Sequence, residues 1–577
     1  MPVLNSLNLA INLNFKILVL LMKIFWFPLS LLILSAFASF AKDSPNFIII
    51  YMDDLGWHQT SVRMMDSEPM SKHSFYNTPN VERLAEMGRC FSNGYAPTAT
   101  CTGSRVSILF GQTSARTQYR YVFDVFHQKQ RPEGYAGQYS LADSVKTAGK
   151  NYITAHFGKG MTEKLKLVNY DVTDEYEEHA PNGNLHGEKI DIPSRKDLPP
   201  NNPKRIYSLI DESMKFLKKN AGKRPFMMMV SHYSVHVPHA ASKKYMDKWQ
   251  AKYDALEKPK DKEELRLFER ECNPLYGAML EETDQHIGIL LDYLKKAGEL
   301  DNTYFIFTSD NGSECIPRTK ENRRYNGPLQ EGKYSCFEGG IRVPFVVAGP
   351  GIQGGTYCDI PVVQWDLLAT LHDLSGNDTP LPDDIDGGSL RDVFFKGNQG
   401  KVKRGAPGIV HHFPSHYQVP ISAIRIGDYK FMRNMNTDEK KLFNVAVDYR
   451  EKNDLAQKMP EKVASMDKIL RAYIEEVDGG DVKDSYQALY ETMDDFEGRA
   501  VKDHERKMKE LEAKMPSDFE HQKSLIDQEL EFKKRGFFAN RAITKRQETW
   551  PGWYDTARKT VEAEIGMTKG GKLIQKK

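Results

Sequence analysis

Two acidic clusters each follow a short apolar run. Asp53-Asp54 comes directly after residues 46–52, and Asp310-Asn311-Gly312 comes after residues 302–308. An aspartate in such a place is commonly a turn or cap residue. Brought together, however, Asp53, Asp54 and Asp310 would repel one another unless a cation lay between them. An oxygen-only ligand set of this kind suits a hard divalent ion, Ca2+ or Mg2+. His232, His236 and His239 cluster behind another apolar run. Imidazole titrates near neutral pH and suits proton transfer. Lys159, between Gly158 and Gly160, and Lys333, after Gly332, offer positive charge for an anion. Cys101-Thr102-Gly103-Ser104-Arg105 follows a loop opened by Ala96-Pro97-Thr98 and places a cysteine, a serine and an arginine at fixed offsets.

That pentapeptide resembles the signature of the type I sulfatases, Cys-x-Pro-Ser-Arg, with Gly103 where proline is usual. The resemblance runs as an ordered set of blocks from about Asn46 to Ile474. It implies that Cys101 is oxidised after translation to formylglycine (3-oxoalanine), whose hydrate attacks sulfur. It also implies one Ca2+, or Mg2+ in its place, held by Asp53, Asp54, Asp310 and Asn311, with the modified Cys101 giving a further oxygen. Arg105 would share a helix face with Cys101 and hold the diol. Lys159 matches the lysine of the family's Gly-Lys-x-His block, which contacts sulfate; Met161 stands in place of the histidine. His236 matches the His-x-Pro block, whose histidine contacts the ester and can protonate the leaving group. Lys333, with the run from Glu338 to Pro344, matches a long block whose lysine touches the bridging oxygen. His411, His412 and His416 lie where bacterial polysaccharide sulfatases carry similar aromatic and histidine segments. They are read as a sugar-binding rim, with structural packing as the competing account.

The elements that must position these groups follow from the pattern. Residues 46–52, 152–157, 225–230, 302–308 and 341–348 read as strands, the first as one buried on both faces. Helical stretches alternate with them: one after Thr78-Pro79-Asn80 with Asn80 as cap, one from Ser140 with Asp143 three residues on, and one over 275–297. The alternation predicts an α/β sandwich around a mainly parallel sheet. The family resemblance makes it an alkaline-phosphatase-like fold. Residues 421–432 read as two strands joined at Gly427-Asp428, followed by a helix to about Ile474. The family closes with such a smaller C-terminal α+β subdomain carrying a four-stranded antiparallel sheet. The division expected is a signal peptide over 1–41, a catalytic domain over 42–400, the C-terminal subdomain over 401–484 and a charged helical extension over 485–577.

The chain has 577 residues and a formal net charge of +2, which gives no argument for nucleic acid. Lys23 precedes an apolar run from Ile24 to Phe40, and Ser39-Phe40-Ala41 offers a signal-peptidase site. Met22 is an alternative start to Met1. The run falls short of a membrane span, so the expectation is export to the periplasm or beyond, with no membrane span left after cleavage. The 6 cysteines are too few for a disulfide scaffold; Cys315 and Cys336 are one candidate pair. In the extension, Val501, Met508, Leu511 and Met515 fall near helical spacing, and Trp550, Trp553 and Tyr554 cluster.

The partners implied are a sulfated carbohydrate and a formylglycine-generating maturation enzyme. A phosphodiesterase or phosphonate hydrolase of the same superfamily is the alternative enzyme. Such relatives usually bind two metals through added His and Asp ligands, and the Lys333 block argues against that reading. A non-catalytic carbohydrate-binding relative is suggested by Gly103 and Met161, and is opposed by the retention of Cys101, Arg105, Lys159, His236, Lys333 and the acidic set.

Overall fold

Strand β1, Asn46–Met52, is buried along its whole length. Its odd and even residues enter different cores. Ile48, Ile50 and Met52 join one apolar cluster, while Phe47, Ile49 and Tyr51 join the other. An unbroken apolar run is what a strand covered on both faces requires. Each fully buried Ile contributes roughly 1.5–3 kcal/mol of transfer free energy. The computed structural model describes residues 44–118, 137–160, 168–174, 202–237, 239–313, 326–414, 419–480 and 502–515, with short pieces at 519–520, 522–524 and 526–527. All elements below belong to the unit Asn46–Lys577.

The main sheet has 8 strands in the order β5-β4-β6-β1-β7-β8-β2-β9. In chain order these are β1, β2 (Gly88–Phe91), β4 (Ile153–Gly158), β5 (Val172–Thr173), β6 (Phe226–Ser231), β7 (Thr303–Ser309), β8 (Phe345–Ala348) and β9 (Thr356–Cys358). A short β3, Gly94–Tyr95, pairs separately with β10, Val362–Val363. Only β8 runs against its neighbours, antiparallel to both β7 and β2. The sheet is therefore mixed and mostly parallel, as expected. Helices α1 (Pro79–Met87), α2 (Cys101–Phe110), α3 (Leu141–Lys146), α4 (Ile206–Asn220), α5 (Pro274–Ala297) and α6 (Asp366–Leu374) cover its two faces. Residues of α1, α4 and α5 pack in the first cluster, and those of α2, α3 and α6 in the second.

Local signals explain most of the boundaries. Ser140 and Asp143 form a reciprocal capping box at the start of α3. Two local expectations need correction. The cap of α1 is Thr78, not Asn80; the Asn80 side chain instead reaches Asp284 at 2.8 Å. The expected strand over 341–348 begins only at Phe345, because Glu338–Ile341 is a short helix. There Gly339 and Gly340 lie so close to neighbouring carbonyls that a Cβ would clash at 2.3 and 2.0 Å.

The second sheet is antiparallel and has 4 strands: β11 (Ile409–Phe413), β12 (Ile421–Ile426), β13 (Tyr429–Asn434) and β14 (Lys440–Asn444). The β12–β13 turn falls at Gly427-Asp428 as the sequence predicts. One face, with Val410, Ile424, Phe431 and Leu442, packs on α7, Pro460–Glu476. On the other face Ile409 packs with Tyr95, Ala99, Ile341 and Trp365 of the larger body. Residues 502–514 are helical. Leu511 there is buried, but Met515 is 70% exposed, so the expected apolar stripe does not extend to it. Among the described residues no helix is long and apolar enough to cross a membrane. Residues 1–43, Cys315, His416, Trp550, Trp553 and Tyr554 lie outside the described residues, as does Met161.

Candidate active site

Parallel pairing brings four strand ends to one edge of the sheet. Met52 is in register with Ser309, Tyr51 with Ser231, and Gly158 with Ser231. The residues that follow, Asp53-Asp54, Asp310-Asn311, Lys159 and the segment to His236, therefore converge at the carboxyl ends of the strands, where open α/β sheets bind ligands. Backbone bonds fix these loops. Asp53 N donates to Ser234 O at 2.8 Å, Asp310 N to Met52 O at 3.2 Å, and Lys159 N to Ser231 O at 2.8 Å. Gly158 has φ +93°, and a Cβ there would lie 2.0 Å from Ser231 O, so glycine is needed to bring Lys159 in.

Cys101 is the first residue of α2 and is 5% exposed. The opening amides of a helix lack intrahelical partners and carry the positive end of its dipole, which favours negative charge there. Arg105, one turn on, is anchored from several sides. Its Nε and Nη2 donate to Asp310 Oδ2 at 3.0 and 2.7 Å. Its Nη1 donates to Lys159 O at 2.9 Å and to Ser231 Oγ.

The carboxylates are held differently. Asp53 Oδ2 accepts from Lys159 Nζ at 2.6 Å. Asp54, whose φ of 63° is left-handed, accepts from Asn311 Nδ2 at 2.7 Å and from Lys333 Nζ at 2.8 Å. His236 Nε2 lies 3.7 Å from Asp54 Oδ2. Ligand atoms of Asp53, Cys101 and Asp310 all lie within 4.8 Å of one another. Asp53 Oδ1 and Asn311 Oδ1 are buried and have no hydrogen-bond partner among the described residues. Buried acceptors of that kind are costly unless something completes them. With the surrounding carboxylates, they fit a hard divalent cation.

The electrostatics follow from this crowding. Burial alone would raise the Asp53 carboxyl, but Lys159, His236 and Arg105 outweigh it and hold it far below the usual range. Burial is likewise outweighed at Asp54 by Lys333 and His236. Asp310 goes the other way: burial and the Asp53 charge push it up to about 7 against Arg105. Burial lowers His236 below its ordinary value despite Asp54 and Asp53.

Two further groups were not singled out by sequence. Lys204 is buried, stands at φ 52° and interacts electrostatically with Asp53, Lys159 and Asp54. Burial brings its ammonium down to about 8. Its segment, Asn202-Pro203-Lys204, carries only a loop signal. Ser231, which holds Arg105, sits at the end of an apolar strand with nothing in its type to mark it.

Of the three histidines expected at the rim, the two described ones are buried. His411 and His412 are each 1% exposed within β11. His412 bonds Ser422 Oγ at 2.7 Å and Gly479 O at 3.1 Å. His411 Nδ1 lies 3.0 Å from Pro97 O, in the loop that leads to Cys101. A strand buried on both faces turns both neighbouring side chains inward, so these two pack instead of facing solvent.

Comparison with known proteins places this chain in a family. The sequence model described as Sulfatase matches residues 45–377. Human N-acetylgalactosamine-6-sulfatase is 27% identical over 391 residues, which cover 62% of this chain and 67% of that protein. An ulvan-active sulfatase of Formosa agariphila is 26% identical over 387 residues, 66% of this chain and 72% of the relative. Among solved structures, PsFucS1 sulfatase from Pseudoalteromonas sp. superposes with a TM-score of 0.55 at 22% identity, covering 76% of this chain and 91% of that one. At that identity the likeness concerns the fold.

Proposed function

This chain belongs to the sulfatase family and is a sulfuric ester hydrolase, and we propose that it acts outside the cytoplasm on a sulfated polysaccharide or oligosaccharide. One observation carries the site assignment. Cys101 heads α2 with Arg105 one turn behind it, locked to Asp310, and Asp53 joins Cys101 and Asp310 in one cluster. Relatives named for sulfated-sugar substrates support the substrate class. The apolar run before Ala41 supports export.

In this reading Cys101 is converted to formylglycine, whose hydrate supplies the oxygen nucleophile. A divalent metal, Ca2+ or Mg2+, held by Asp53, Asp54, Asp310 and Asn311, would polarise the sulfate oxygens. The chain's own groups do the rest. Arg105, held rigid by Asp310 and Ser231, steadies negative charge beside residue 101. Lys159 and Lys333 bring ammonium groups to the anion. A divalent ion bound among Asp53, Asp54 and Asp310 adds its charge to those of Arg105, Lys159 and Lys333, which together attract an anionic ester. His236, only 16% exposed at its side chain, sits beside Asp54. The negative charge of bound sulfate raises its proton affinity, and it protonates the leaving alcohol. The body over 42–400 carries the chemistry, and the sheet subdomain over 401–484 backs it.

Mass spectrometry of the peptide spanning Cys101, combined with a desulfation screen over defined sulfated saccharides, tests the reading. A formylglycine mass and release of sulfate are expected. An unmodified thiol in fully active enzyme would overturn the nucleophile. A correctly matured protein that binds but never desulfates would identify a carbohydrate-binding relative. Two transition-metal ions per chain would favour the phosphodiesterase alternative.

A further inference from the structure

Lys430 and Arg425 face each other directly across β12 and β13. Two cations in register on one face of a sheet repel. The Lys430 side chain is fully buried and Arg425 is 4% exposed, which raises the cost. Both reach off their own sheet into the larger body. Lys430 Nζ lies 2.8 Å from Glu338 Oε1, 2.5 Å from Glu451 Oε1 and 3.0 Å from Cys336 O. Arg425 Nη1 donates to Asn93 Oδ1 at 2.8 Å and to the Tyr95 hydroxyl, which donates in turn to Glu338 Oε2 at 2.8 Å. Arg342 Nε closes the set on Glu338 Oε2 at 2.6 Å.

The segment so gripped is the one that presents Lys333. Glu451 Oε2 accepts from Glu338 N at 2.7 Å. The carbonyls of Arg450 and Glu451 accept from Gln330 Nε2. Between these clamps Glu331 and Tyr334 both take left-handed backbone, with φ 56° and 73°. Tyr334 N donates to Ala99 O at 2.7 Å, two residues before Cys101. The same sheet face sends His411 to Pro97 O. A strained loop persists only where its surroundings over-determine it, and here Ser313, Asn326 and Ala99 of the larger body act together with Arg450, Glu451 and Lys430 from the C-terminal side.

We propose that Lys430 is a positioning residue for turnover: through Glu338 and Glu451 it sets the loop that places Lys333 and, through Tyr334 and Ala99, the approach to Cys101. The C-terminal sheet is thereby part of the active-site machinery. This rests on the sulfatase reading; turnover by the parent enzyme tests that reading, and the ratio of variant to parent tests this one.

The experiment compares Lys430→Met with Leu442→Ala, which thins the opposite face of the same sheet against α7. Melting temperature, kcat and KM are measured on full-length, matured enzyme. Lys430→Met is expected to lower kcat about tenfold or more, at least 1.4 kcal/mol, with KM changed less than about threefold. Leu442→Ala should lower the melting temperature yet keep kcat within about twofold. Equal losses of kcat in the two variants, or kcat in Lys430→Met within about twofold of parent, would overturn the proposal. Should Lys430→Met fail to fold, the near-isosteric Glu451→Gln decides: a kcat loss of about threefold or more at unchanged KM supports it, and parental kcat refutes it.

Discussion

Two clusters of buried charge lie close along this chain, and they end differently. Around Asp53, Asp54 and Asp310, acceptor oxygens of Asp53 and Asn311 are left without hydrogen bonds, while Lys159 and His236 keep 13% and 16% of their side-chain surface in solvent. Around Glu338, the side chains of Lys430, Arg342 and Glu451 are shut off completely. The first cluster keeps unsatisfied acceptors and some solvent access. The second is closed by ion pairs within the protein, from Lys430 of the second sheet and Arg342 of the larger body. Burying charge costs free energy in both places. In the first, that cost holds reactive groups in readiness; in the second, it fixes the geometry of a loop.

The sharpest test of the open cluster is its nucleophile. Cys101→Ser should lower turnover by roughly 10⁵-fold or more while leaving substrate binding largely intact, measured as kcat beside a direct binding titration. Retained turnover would place the chemistry elsewhere. Next is the carboxylate frame. Asp53→Ala, or chelation of the parent, should cost roughly 10³-fold in kcat/KM, and calcium content should fall with it in elemental analysis. Full activity after chelation would mean that Lys159, Lys333 and Arg105 suffice alone. His236→Gln should cost about 10²-fold, and less on substrates with a good leaving group that needs no protonation. An equal loss on both kinds of substrate would assign His236 to binding. The closed cluster is probed by the smaller effects expected of Lys430→Met.

The smallest effect concerns buried groups outside both clusters. Burial lowers His58 and His232 to about 3. The unfolded chain therefore takes up protons first as pH falls below about 6.5, while the folded chain resists. The stability these groups contribute is present above that pH and is lost as pH drops toward their folded values, by up to about 1.4 kcal/mol per unit for each histidine. Thermal melts between pH 7 and 5 should show the fall, and His58→Gln should make it shallower. A slope unchanged by the substitution would remove His58 from that account.

Much of the open cluster was legible because its residues are adjacent in sequence to the strand ends that gather them. A strand buried on both faces needs an apolar run, so Asn46–Met52 and Thr303–Ser309 announce themselves, and Asp53, Asp54, Asp310 and Asn311 follow at once. The closed cluster was not legible. Lys430 sits in a hairpin whose alternation reads correctly, yet nothing local says that its ammonium turns to Glu338, 92 residues away. His411 and His412 misled for the same reason. Their types suit a sugar rim, but β11 is covered on both faces and takes them inside.

The sequence by itself determined the central strands, several of the helices, the order of the chemistry-bearing blocks and the residue types of the site, since periodicity and residue type are local properties. Tertiary structure alone decided which charge meets which. It set Arg105 on Asp310, Lys159 on Asp53, Lys333 on Asp54 and Lys430 on Glu338. Those pairings depend on strand register and sheet packing across hundreds of residues. Their strength depends on burial, which no single stretch of chain specifies.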